Sequence, residues 1–117
     1  MSRAGSITAH DDGAVTTVTL EGEIDAALHE ECRQTVACAV AAGLPVELDL
    51  GAVRFLDSTG VELLLQHHLA CERMGLACTL RHVPDRVCAT LALLGLDRFF
   101  TIEPGRLLST VPSAREA

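Results

Sequence analysis

The sequence predicts an α/β fold: one domain with a mixed, mostly parallel sheet, begun by an antiparallel hairpin, with amphipathic helices packed on it. Three observations carry that reading. Short apolar runs rich in β-branched residues alternate with stretches in which apolar residues recur at helical spacing. The elements fall in the order β-β-α-β-α-β-α-β, which calls for right-handed crossovers between parallel strands. Each helical stretch also ends in a glycine, at Gly43, Gly75 and Gly95, as a left-handed cap requires. A chain of 117 residues is expected to form a single domain over 1–117 and to bury one core unaided. That core is expected over about 6–102, with a tail from 103 to 117.

Taken in order, Ser6 to His10 is a short strand, and Asp11-Asp12-Gly13 supplies the Asp-Gly pair of a tight hairpin turn. Val15 to Leu20 follows as the second strand, with Thr16, Val18 and Leu20 on one face and Val15, Thr17 and Thr19 on the other. Glu21 to Asp25 leaves the strand, and Asp25 is placed to cap a helix. From Ala26 to Ala42 the seam is Leu28, Cys32, Val36, Ala39 and Val40, with His29, Glu30, Arg33 and Gln34 on the wet side. Pro45 prevents continuation. Val46, Leu48 and Leu50 then alternate with Glu47 and Asp49, and Val53, Phe55 and Leu56 read as further core in a short loop.

The second helix is predicted over Ser58 to Met74, its seam marked by Val61, Leu64, Leu65, Leu69 (or His68) and Glu72 or Met74. Leu76 to Val83 reads as a strand, Asp85 to Leu94 as a third helix buried through Val87, Leu91 and Leu94, and Phe99 to Ile102 as a last strand. Leu107-Leu108 opens a candidate final helix, and Pro112 with the polar end marks a frayed tail.

Composition narrows function. The formal charge is −7, from 16 acidic residues against 9 arginines and no lysine. An acidic chain without a basic cluster argues against direct nucleic-acid binding and against anionic membranes. Five cysteines without C-x-x-C spacing, no apolar signal region and no spanning run predict a cytoplasmic protein with free, mostly buried thiols. Trp and Tyr are absent, so aromatic platforms for bases or sugars are lacking.

Chemistry concentrates at Asp57-Ser58-Thr59-Gly60, where a hydroxyl meets the start of the second helix. A G-x-x-x-x-G-K-[ST] phosphate loop is impossible without lysine, and G-x-G-x-x-G does not occur. The tetrapeptide is superficially like the Asp-Ser-Gly of aspartic proteases, but it is one residue too long and occurs once. A serine hydrolase would need the G-x-S-x-G elbow, yet Leu56 stands where its first glycine belongs. His10, His29, His67, His68 and His82 are better read as structural than as bases. His67 and His68 are adjacent and diverge on a helix; Cys71, four residues after His67, is better read as a packed thiol beside a surface histidine than as a co-ligand. Hence no catalytic residue, metal or cofactor is expected.

Ser58 has two readings. On residue type alone it is a helix N-cap. Alternatively it is a phosphoacceptor: free amides and the helix dipole tolerate a phosphate there, which adds about two negative charges and repels or displaces a docked partner.

Leu48 to Gly60, reading Leu-Asp-Leu-Gly-Ala-Val-Arg-Phe-Leu-Asp-Ser-Thr-Gly, resembles the signature of STAS domains, specifically bacterial anti-sigma factor antagonists. Leu20-Glu21-Gly22-Glu23-Ile24-Asp25 and the run from Leu91 to Phe100 are similar to two further family segments. The resemblance implies a non-enzymatic partner switch in transcription regulation. The unphosphorylated antagonist binds an anti-sigma factor that is also a serine kinase and so frees a sigma factor; phosphorylation at Ser58 ends the binding, and a PP2C-type phosphatase restores it. Thr59 is a secondary acceptor candidate. The implied partner-binding surface is Asp25, Asp57, Ser58, Thr59, Gly60 and Glu62. Family members often carry a small residue where Glu62 stands, one turn after Ser58, where it crowds a phosphate. The alternative is a STAS scaffold module of a larger sensory complex, with Ser58 unphosphorylated.

Overall fold

The computed structural model describes residues 5–103. It contains strands β1 (Ser6–Asp11), β2 (Thr16–Ile24), β3 (Val46–Leu56), β4 (Cys78–Arg81) and β5 (Thr101–Ile102), and helices α1 (His29–Ala42), α2 (Ser58–Met74) and α3 (Asp85–Leu93). The five strands form one sheet in sequential order; β1 pairs antiparallel with β2 and every later pairing is parallel. This is the predicted architecture. The tail predicted beyond Glu103 lies outside the described residues.

Because each parallel neighbour is also the next in sequence, right-handed crossovers carry all three helices to the same face of the sheet. Burial follows that arrangement. Val18, Leu20, Leu48, Leu50 and Leu80 point into the helix layer and are almost wholly buried, while Thr17, Thr19, Glu47, Asp49 and Arg81 alternate with them on the open face. Parallel strands covered on both sides read as continuous apolar runs. Here the alternation survives because only one side is covered. Each fully buried leucine contributes roughly 1.5–3 kcal/mol of transfer free energy.

Several boundaries differ from the sequence reading. The hairpin connection is a four-residue loop in which the Asp12 carboxylate accepts from the amides of Ala14 and Val15, 2.8 and 2.9 Å away. β2 does not end at Leu20 but runs through Glu21-Gly22-Glu23 to Ile24, with register shifts against β3 on either side of Gly22. Gly22 takes a positive φ of 77°, so turn-forming residues here build an irregular strand instead of an exit from it. β3 likewise continues through 51–56, where a loop was expected. β4 and β5 are shorter than predicted, and Ala26–Leu28 form a 3₁₀ turn before α1.

The helix stops behave as expected. Gly43, Gly75 and Gly95 all adopt left-handed φ, at 66°, 72° and 75°. The buried stripe of α2 differs from prediction: it comprises Gly60, Val61, Leu63, Leu64, His67, Ala70 and Cys71. Leu69 and Met74, expected in the seam, are 41% and 54% exposed, and Glu72 faces solvent. The run Leu63-Leu64-Leu65 left the helical phase open, and an inward-facing histidine concealed it. Leu94, assigned to the buried face of α3, is exposed and serves as its C-cap.

Candidate functional site

The register of β2 and β3 builds the site. Ile24 pairs with Leu56, so the next residue on each strand, Asp25 and Asp57, emerges side by side at the carboxyl edge of the sheet. Ligands of open α/β sheets are commonly received at this edge. Each aspartate caps the turn that follows it. Asp25 accepts from the Ala27 amide at 3.0 Å and Asp57 from the Gly60 amide at 2.8 Å.

Asp57, with extended backbone at φ −95° and ψ −171°, is therefore the N-cap of α2. Ser58 is not. This corrects the reading of Ser58 as the cap: it is the first helical residue, and its side chain is exposed. Thr59 is half-buried, and Glu62 lies exposed one turn further on. The first amides of a helix lack intrahelical partners; Asp57 takes that of Gly60, and among the described residues no side chain takes those of Ser58 or Thr59. Together with the helix dipole, those two amides can receive an anion. The carboxylates of Asp25, Asp57 and Glu62 oppose that tendency from around the same edge.

Gly60 contributes by what it lacks. A Cβ there would strike the Ile24 carbonyl oxygen and come within 3.1 Å of Leu56 Cδ1. The first turn of α2 is thus seated directly on the end of β2, which fixes Ser58 relative to Asp25. Of the six residues assigned to a partner surface, five gather on this edge in half-buried or exposed positions. Gly60 is buried and sets their spacing.

Phe55 is the residue that sequence reasoning misplaced. Its hydrophobicity predicts a core position, yet it is 53% exposed, three residues before Ser58. Alternate burial in β3 holds only as far as Leu50; thereafter Val53 and Leu56 are buried and the residues between them point out. The register shifts cause this change, and Gly51 was the sequence signal available. Beside it, the Arg86 guanidinium of α3 donates to the Arg54 carbonyl at 3.0 Å, which covers β3 where β4 no longer pairs with it.

None of the histidines is held as a base for Ser58 among the described residues. His67, expected at the surface, is buried in a polar bridge between α1 and α2. Its Nδ1 lies 2.9 Å from the Leu63 carbonyl and its Nε2 2.8 Å from Thr35 Oγ1. A carbonyl only accepts, so Nδ1 carries the proton and Nε2 is left as an acceptor beside the Thr35 hydroxyl, whose one proton it shares with the Cys32 carbonyl 3.1 Å away. Burial lowers the His67 pKa, against a smaller raising effect of the Leu63 carbonyl. Cys32, 3.8 Å from His67 Nδ1, has its thiol pushed up to about 11 by burial.

Cys32 and Cys71 are buried, and Cys38 is exposed. Cys71 is packed as predicted, and a thiol hydrogen bond from Cys78 holds its pKa below the ordinary value. Among the described residues no cluster could hold a metal ion, and no helix is long and apolar enough to cross a membrane.

Known proteins share this architecture. An anti-sigma factor antagonist from Mycobacterium paratuberculosis superposes with a TM-score of 0.73 at 26% identity, covering 88% of each chain. A serine-to-glutamate variant of RsbS from Moorella thermoacetica gives a TM-score of 0.72 at 18% identity, over 83% of this chain and 85% of that one. The phosphorylated form of the Bacillus cell fate determinant SpoIIAA gives 0.64 at 19% identity, over 84% and 91%. No curated protein matches the chain. The family model described as "Mlab, STAS domain" matches residues 7–108, most of the sequence. The chain belongs to the STAS domain family.

Proposed function

We propose that the protein is an anti-sigma factor antagonist whose unphosphorylated form binds an anti-sigma factor with serine kinase activity, thereby releasing a sigma factor. Phosphorylation of Ser58 ends that binding, and a PP2C-type phosphatase reverses it. One observation carries the reading: Ser58 presents an exposed hydroxyl on the first turn of α2 while its neighbour Asp57 does the capping. Among the described residues none hydrogen-bonds to this hydroxyl, which leaves it available for modification. A structural neighbour known in a phosphorylated form and another studied as a serine-to-glutamate variant support the same reading.

The partner surface comprises Asp25, Asp57, Ser58, Thr59 and Glu62, held in register by Gly60. Phe55 adds an apolar anchor beside them; exposed aromatic residues of this kind commonly dominate binding energy in an interface. The protein acts by docking and carries out no catalysis, and its place is the cytoplasm. Thr59, half-buried, is the secondary acceptor. Incubation with the anti-sigma kinase and ATP should add one phosphate to wild type and none to Ser58→Ala. Ser58→Ala should keep its affinity for the kinase, and Ser58→Asp should lose it. Equal binding by wild type and Ser58→Asp would refute the switch.

Glu62 favours a second reading. It is exposed on the same helix face as Ser58 and places a permanent negative charge where a phosphate would sit. On that reading the domain is a STAS scaffold module of a larger sensory complex, and Ser58 stays unmodified. Absence of phosphate on Ser58 after exposure to the kinase selects it.

A further inference from the structure

A groove of about 290 Å³ lies between α1 and α2, on the outer side of the helix layer and away from Ser58. Its apolar lining comes from Val36 and Ala37 of α1 and from Leu69 and Ala70 of α2. The two alanines leave the space, and Leu69, large and 41% exposed, forms one wall. The ends differ. At one end stand Gln66 and Arg33, but the Arg33 guanidinium is already engaged by Glu30 through contacts of 3.0–3.3 Å, which partly offset its charge. At the other end stands Arg73, exposed, in the last turn of α2. It makes no ion pair or hydrogen bond with any described residue.

One uncompensated cation at one end of an apolar trough sets the chemistry of the occupant. From these residues we infer a binding site for a single-chain aliphatic carboxylate, its head on Arg73 and its tail laid over Ala37, Leu69 and Ala70 toward Gln66. A guanidinium matches a carboxylate through two parallel N–H···O contacts, which a neutral head group cannot reproduce. Gln66 and Arg73 are seven residues apart on α2, about 10 Å at 1.5 Å rise per residue, a length suited to a medium aliphatic chain. The volume is at the small end of ligand sites, too small for a docked helix from another protein. A doubly charged occupant is disfavoured because Glu30 occupies the second arginine.

The site is independent of the reading of Ser58, and its test needs neither kinase nor ATP. Amide shifts of the ¹⁵N-labelled protein are followed while decanoate is added below the concentration at which it forms micelles, with decanol and pentanoate as comparisons. Decanoate should shift Ala37, Leu69, Ala70 and Arg73 and leave Ser58 unmoved. It should bind about tenfold more tightly than decanol, the value of one charge-assisted contact, and more tightly than pentanoate. Arg73→Gln should lose that tenfold for decanoate and change decanol little; Arg73→Lys should recover part of it. Leu69→Gln should weaken decanoate and decanol alike. Both positions are exposed, so the variants should keep wild-type circular dichroism. Equal affinity for decanoate and decanol, an Arg73→Gln variant that binds decanoate as wild type does, or shifts that map outside the groove would each overturn the site.

Discussion

At the scale of single residues, Asp57 does the capping of α2 and leaves its neighbour Ser58 exposed on the first turn. Asp57 closes the first turn of α2, so Asp57→Ala should cost about 1 kcal/mol in a urea denaturation series. Ser58→Ala should lie within about 0.5 kcal/mol of wild type, because its exposed hydroxyl caps nothing. The reverse ranking would place the cap on Ser58. Gly60 is a stricter case. Its missing Cβ lets the helix rest on the Ile24 carbonyl, a backbone atom that cannot swing aside. Gly60→Ala should therefore destabilise the fold by about 1–3 kcal/mol, and it should also weaken partner binding by tilting the turn that bears Ser58. Asp57, Ser58 and Gly60 could be picked from sequence because caps and glycines have local chemistry. Which of them did the capping could not, since Ser and Asp are equally good N-caps by type.

At the scale of elements, legibility followed locality. The three glycine stops and the existence of all three helices were readable because each depends on a few adjacent residues. The far halves of β2 and β3 were not, because irregular pairing between strands is a property of two segments at once. Gly22 looked like a turn, and Phe55 looked like core; only the shifted register turns Phe55 outward. The phase of α2 was hidden for a different reason. Its buried stripe includes His67, which hydropathy assigns to the surface, and Thr35 on α1 supplies the hydroxyl that makes its burial tolerable. That bridge has a pH signature. Burial depresses the folded-state pKa of His67 below the ordinary 6.5, so below that pH the unfolded chain binds more protons than the folded one. Stability should hold above about pH 6.5 and decline as pH falls from there toward the depressed value. The slope should be absent from His67→Gln, compared with wild type by thermal melts across that range. A wild-type slope retained in His67→Gln would assign it to other groups.

At the scale of the whole molecule, the sheet has one covered face and one open face, and substitutions should sort accordingly. Leu48→Ala removes a completely buried side chain from beneath the helix layer and should cost about 2–5 kcal/mol. Thr17→Ala, one residue from the paired Val18 and on the opposite face, should change stability by no more than about 0.5 kcal/mol. Equal costs in chemical denaturation would mean that the open face is buried in solution. The Arg81 contacts to Glu47 and Glu103 on that face, at 2.8 and 2.6 Å, are partly solvated and add little by themselves. The overall α/β order and the sheet's mixed character were legible from sequence because element order and crossover handedness nearly determine them.

The seating of α2 on β2 through Gly60 also bears on how a signal would leave this domain. A signal that moved the helix would have to lift it from a backbone carbonyl and disturb the core beneath. A mark added at Ser58 would meet no such obstacle, because no described residue hydrogen-bonds to that oxygen. On the function proposed above, the domain works as a fixed signboard: its shape stays the same, and a partner reads what is written on one oxygen atom.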